Sequence, residues 1–256
     1  MKITEITISV FELPRETRLI DMVEEGTASD GRWVGRPAGD ASRGPVHVLH
    51  VQTDEGIEGI CTVGDVRYTV MPQDILEQLR VLAVGSDPLK RQHLYRKTRA
   101  ATRRMFVPPG WSGAFDNCLW DIAGKATGLP VYRLIGQVRD DGPAYYNIRG
   151  ETVEEAVEDT LKAVEAGFSA VKDHFHNDAD ENVEWKRAVR AAVGPDVDLM
   201  HDAAGCAYSF WDALRVGRAL EELRFRWFGE PLPDRHLRDL QALCAELDVP
   251  VLTPRV

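Results

Sequence analysis

In the second half of this chain, polar residues recur at the ends of short apolar runs with an almost constant period. Asn147 to His174 is 27 residues, His174 to Asp202 is 28, Asp202 to Glu230 is 28 and Glu230 to Arg255 is 25. Each interval holds one helical pattern. Thr152-Val153-Glu154-Glu155 reads as a capping box, followed by an apolar stripe of Val153, Ala156, Val157, Leu161 and Val164 that Gly167 ends. Residues 180–193 read as the next helix, stopped by Gly194-Pro195. Ser209-Phe210-Trp211-Asp212 caps a third, to about Leu223, and Asp234 to Leu247 makes a fourth. Strands are expected at Tyr145–Asn147, Ser169–His174, Val197–Asp202, Phe225–Glu230 and Val249–Thr253. Strand, helix and strand in strict alternation make parallel α/β units. The regular period favours a (β/α)8 barrel over a doubly wound sheet; a Rossmann-like order stays open, though no GxGxxG follows the first strand to suggest a dinucleotide site.

The first half reads differently. Ile6, Ile8 and Val10 alternate with Thr7 and Ser9, as in a half-buried strand. A Gly-rich polar stretch, Gly26 to Gly44, reads as a loop. Val46–Val51, the turn Thr53-Asp54-Glu55-Gly56 and Ile57–Val63 read as a β-meander, and Gln73–Leu134 as helices, one of them ending near Gly128-Leu129-Pro130. The expected organisation is therefore an α+β domain over 1–139 and an incomplete barrel domain over 140–256.

Composition narrows the function. Against 41 acidic residues stand 31 Lys and Arg, a net charge of −10 over 256 residues, which argues against a nucleic-acid partner. No apolar run approaches the ~20 residues of a membrane span, and the polar N-terminus is no signal peptide, so a cytoplasmic location is expected. Cys61, Cys118, Cys206 and Cys244 form no CxxC pair and read as four buried, reduced thiols.

In such barrels the chemistry sits at the C-terminal ends of the strands. Those ends carry Asn147, Lys172 with His174, His201 with Asp202, Glu230 and Arg255. Lys172 and His174 are two apart on one strand and share a face, as a base and a cationic helper would. Taken by itself, the pair reads better as a strand-end Lys snorkelling to solvent beside an incidental His. Asp202 and Glu230 end adjacent strands, and their carboxylates suit a shared Mg²⁺. The chemistry these groups point to is abstraction of the proton beside a carboxylate.

The stretches Ala114–Lys125, Gly167–His174, Leu199–Ala203 and Phe225–Leu232 fall in an order and spacing that resembles the enolase superfamily, in its mandelate racemase and muconate-lactonizing branch. The resemblance covers essentially the whole chain. It implies a capping domain with residues 26–44 as specificity loop, then a barrel whose chain stops after its fifth strand. It further implies an Mg²⁺-assisted acid-sugar dehydratase, racemase or epimerase acting on a small carboxylate, with homo-oligomers usual. Lys172 and His174 would be catalytic, Asp202 and Glu230 metal-binding, and Asn147, His201 and Arg255 substrate-binding. The sequence departs from the family pattern at Gly229, where an acid usually binds metal, and at Arg255, which replaces the acid of the fifth strand. These two departures raise a non-catalytic, metal-free carboxylate-binding or assembly relative as the alternative; the absence of the sixth to eighth strands raises an inactive fragment.

Overall fold

The computed structural model describes residues 1–25, 32–63, 70–105, 109–204, 206, 208–233 and 235–252, with backbone alone for 13–25, 32–44 and 109–110. The chain divides into two compact units, Met1–Ile20 with Pro37–Asp140, and Asp21–Arg36 with Asp141–Val256.

The first unit is built on a sheet of order β1-β2-β3, made by Ile3–Glu25, Arg32–Thr53 and Glu58–Thr62. Strands β2 and β3 pair antiparallel, from Val48 opposite Thr62 to Gln52 opposite Glu58. The turn between them works as its residues dictate. Thr53 Oγ1 donates to the Ile57 carbonyl and accepts from its amide, and Gly56 takes φ +75°. The loop expected over 26–44 is in part strand, since β2 already begins at Arg32. Ladder hydrogen bonds use the backbone, so a polar, Gly-rich segment can pair without an apolar face. Ile6 is fully buried, but Val10 is exposed, so the inward face of β1 does not continue that far.

Helices α1 (Gln73–Ala83), α2 (Arg91–Met105), α3 (Gly113–Thr127) and the single turn α4 (Val131–Leu134) follow. Helix α3 ends at Gly128, whose left-handed φ of 67° closes the C-terminus. It lies against β3, with Asp121 Oδ2 accepting from the Ile60 amide at 2.9 Å. The approach is close because Gly59 has no side chain: a Cβ there would sit 2.2 Å from the Cys118 carbonyl oxygen. Phe115, Cys118, Leu119 and Ile122 point from α3 into the core with Ile3, Ile6, Leu49 and Val51.

The second unit is the expected repeat. Its strands are β4 (Tyr146–Asn147), β5 (Ala170–Asp173), β6 (Asp198–Asp202), β7 (Phe225–Gly229) and β8 (Val251–Leu252), and its helices α5 (Val153–Glu165), α6 (Ala179–Val193), α7 (Phe210–Glu222) and α8 (Leu237–Glu246). The sheet is parallel and runs β4-β5-β6-β7-β8 in chain order. A doubly wound sheet reverses its strand order midway, and this one does not, so it is a partial barrel wall.

Two local expectations change. The Thr152 hydroxyl caps α5 by accepting from the Glu155 amide, but Glu155 returns its bond to the Glu151 amide rather than to Thr152. Leu161 is exposed; the inward stripe runs through Ala156, Thr160 and Ala163, with the Thr160 hydroxyl satisfied by the Ala156 carbonyl. The capping box of Ser209 and Asp212 is complete. All four cysteines are free thiols; Cys118 and Cys206 are buried, Cys61 is half-buried and Cys244 exposed. Among the described residues, no helix is long and apolar enough to cross a membrane.

Candidate active site

Register and the alternation of side chains assign two faces to the parallel sheet. Lys172 pairs with Met200, Met200 with Trp227, Asp202 with Gly229, and Asn147 with Lys172, so these residues share one face. Val171, Asp173, Leu199, His201 and Phe228 share the other, against helices α5 to α8.

On the first face, Lys172 and His174 meet Asp202. Lys172 Nζ lies 3.1 Å and His174 Nδ1 3.3 Å from the same oxygen, Asp202 Oδ2, and Asp202 Oδ1 accepts from the Ala204 amide at 3.3 Å. Burial alone would raise the Asp202 carboxyl, but the hydrogen bonds from His174 and Lys172 outweigh it and hold the group well below the ordinary carboxylate range. Lys172 and Asp202 are mostly covered, whereas the His174 side chain is 45% exposed and open to a ligand. The His174 ring stands edge-to-face on His176, 4.9 Å between centroids. Burial, then the neighbouring His174, lowers the pKa of His176, so it stays neutral more readily than a free histidine. Lys172 Nζ also lies 5.6 Å from the centre of the Tyr145 ring. Tyr145, Trp227 and His176 were not singled out in the sequence, although Trp227 is two residues from a strand end.

Asn147 is exposed at the end of β4, beside Lys172. Glu230 follows β7 in a left-handed conformation, φ 46°, with its amide donating to the Leu252 carbonyl. Arg255 lies outside the described residues.

His201, expected at the substrate side, is placed differently. Its ring is fully buried on the helix-facing side, where Nδ1 meets Asp173 Oδ1 at 2.6 Å and the ring stacks on Phe228. Lys186 of α6, also buried, reaches the same Asp173 oxygen at 3.3 Å. Neighbours on a strand point to opposite faces, so His201 and Asp202 cannot share the mouth. Burial pushes the His201 pKa down to about 4 and also lowers Lys186. Asp173 would be raised by burial, but the charges of His201 and Lys186 win and lower it.

A parallel wall with polar strand ends on one side and a helix layer on the other is that of a (β/α) barrel, a fold in which sites form at the C-terminal ends of the strands. Two family models match in chain order. The Mandelate racemase / muconate lactonizing enzyme N-terminal domain matches residues 36–136, and the Enolase C-terminal domain-like model residues 155–255. The chain belongs to the mandelate racemase and muconate-lactonizing branch of the enolase superfamily. It is 35% identical over 164 residues to an arabinonate dehydratase of Saccharolobus solfataricus, covering 62% of this chain and 43% of that protein. It is 30% identical over 181 residues to an L-talarate/galactarate dehydratase of Salmonella typhimurium, covering 66% and 44%. The crystal structure of D-glucarate dehydratase from Agrobacterium tumefaciens, complexed with magnesium, superposes with a TM-score of 0.79 at 28% identity, over 99% of this chain and 67% of that one. The chain spans about half the length of the curated relatives it matches.

The described residues do not fit a divalent cation of the kind that glucarate dehydratase holds. No group of three His, Cys, Asp or Glu among them could hold a metal ion. Asp202 spends one oxygen on Lys172 and His174, and the partner position on β7 is Gly229, which has no donor side chain. A carboxylate already shared by an ammonium and an imidazole is a poor start for a hard-cation site, which needs several converging oxygens.

Proposed function

We propose that the strand-end site takes the carboxylate of a small hydroxy acid and that His174 moves the proton on its α-carbon, as in an acid-sugar dehydratase or racemase. The observation that carries this reading is the shared oxygen of Asp202: Lys172 and His174 already converge on one carboxylate from the same sheet face. An ammonium has three donors, and Lys172 gives one to Asp202, leaving two for an incoming carboxylate. The named activities of the arabinonate and talarate/galactarate dehydratases support sugar acids as the substrate class.

The residues of the chain supply the steps. Lys172 binds one oxygen of the substrate carboxylate. The exposed His174 imidazole removes the α-proton, and the C–H electron pair moves into the carboxylate to form an enediolate. The Lys172 ammonium lies beside the oxygens that gain charge. Collapse of the enediolate expels the β-hydroxyl, which takes the proton from His174 and leaves as water. Return of the proton by His174 to the same face of carbon restores the starting acid; racemisation or epimerisation needs delivery to the opposite face by a second donor.

The test is a panel of arabinonate, galactonate, mannonate and glucarate in D₂O, followed by proton NMR. Loss of the α-proton signal, abolished by His174→Gln and reduced at least about tenfold by Lys172→Met, is the expected result. Absence of exchange with every acid, or exchange untouched by both variants, would refute the reading.

A further inference from the structure

We infer that this mouth holds its hydroxy-acid anion without a divalent metal, between the Lys172 and His174 side chains and an aromatic wall made by Trp227 and Tyr145. The inference rests on the proposed reading that the mouth takes a carboxylate, and it deepens that reading by naming what stands in for the metal.

Trp227 and Gly229 are two apart on β7 and face the same side as Asp202. A Cβ on Gly229 would lie 2.9 Å from Trp227 Cζ3, 3.4 Å from Trp227 Cε3 and 3.5 Å from the His201 carbonyl oxygen. Real Cβ atoms essentially never come as close as the first of these, so a side chain at 229 would have to displace the end of the indole that lies there. A carboxylate on β7 would have to leave from that point to meet Asp202 across the strand pair. In this chain the indole of Trp227 packs where a side chain at 229 would begin.

The indole continues into a wall. The Tyr145 ring meets it edge-on, with centroids 6.5 Å apart and planes at 75°. Tyr145 is 46% exposed. Lys172 lies between this wall and Asp202, at 5.6 Å from the Tyr145 ring centre and 3.1 Å from the carboxylate. An anion arriving here meets an ammonium with two free donors on one side and aromatic faces on the other. That combination suits a carboxylate carried on a polyhydroxylated chain, whose C–H edges pack on aromatic rings while its charged end is paired. Asp202 then acts as the counter-ion of Lys172 and His174 in the empty site.

The experiment uses calorimetric titration of the full chain with the same sugar-acid panel, first in EDTA and then in excess MgCl₂. The expected result is saturable binding in EDTA, changed by less than about twofold on adding Mg²⁺ and weakened at least about tenfold by Lys172→Met. Binding that appears only with Mg²⁺ overturns this inference and leaves the proposed function standing. No binding under either condition overturns both. A second measurement tests the packing directly. Gly229→Ala lowers the melting temperature by about 5 °C in the native background, as overpacking does, and by much less when Trp227→Ala is already present. Equal losses in the two backgrounds would show that the indole does not fill the room at 229.

Discussion

Asp173→Asn is the most informative single change, because Asp173 sits behind the site and its environment allows the cost to be worked out. The carboxylate is buried and accepts from His201 Nδ1 at 2.6 Å and Lys186 Nζ at 3.3 Å. Asparagine keeps the volume and one acceptor but removes the charge. Lys186 is then left as a cation with 1% exposure and no carboxylate partner among the described residues. At 3.3 Å and an effective dielectric of about 20, the lost attraction is of the order of 5 kcal/mol. Breaking one side of a buried pair costs about 3–5 kcal/mol when measured, in agreement. For a chain of this size that is a fall of roughly 10 °C in melting temperature. The companion Asp173→Asn/Lys186→Met removes the stranded cation as well and should recover all but about 2 kcal/mol, because a neutral, well-packed replacement of a buried ion pair is often tolerated. Urea unfolding of the wild type and the two variants measures this. A loss below about 1 kcal/mol in the single variant, or a double variant no more stable than the single, would show that Asp173 and Lys186 are not an interdependent buried pair.

Three further outcomes follow from the same geometry. His201 has its pKa pushed down to about 4, below its unfolded value, so protonation favours unfolding; its contribution is complete above about pH 6.5 and is lost as pH falls towards 4, worth about 3 kcal/mol. Urea unfolding between pH 7 and 4.5 should show this acid slope in the wild type, and His201→Gln should flatten it; equal slopes would refute the assignment. Lys172→Met removes one of the three hydrogen bonds that depress Asp202, so its carboxyl titration, followed by carbon NMR, should move up towards ordinary carboxylate values, and no movement would mean that His174 and the Ala204 amide set it without Lys172. Gly59→Ala places a Cβ 2.2 Å from the Cys118 carbonyl oxygen and 2.9 Å from its carbonyl carbon, against helix backbone that cannot move aside, so a loss of about 2 kcal/mol or more is expected in a denaturant melt, and a neutral result would deny the close approach of β3 and α3.

The barrel wall was legible because its signal is repeated. Five apolar runs each end in a polar residue, and three of the four helices between them carry a cap or stop, so an error of two residues at any boundary leaves the order intact. Lys172, His174 and Asp202 were legible for the same reason, since spacing puts the first two on one face and the third at the next strand end. What the sequence reading missed is where the period-two rule was applied to one strand and not to the next. The rule that joins Lys172 to His174 also separates His201 from Asp202, and it turns His201 towards Asp173 and Lys186. Lys186 itself could not be found this way. A lysine on a helix reads as solvated until the structure shows a carboxylate on the facing strand. Trp227 is the opposite case: its alternation with Gly229 was visible, but the departure at 229 was read as a loss. Side-chain packing adds that the end of the Trp227 indole lies 2.9 Å from where a side chain at 229 would begin. A missing acid can be judged only with the neighbour that fills its place, and that neighbour is two residues away on the same strand.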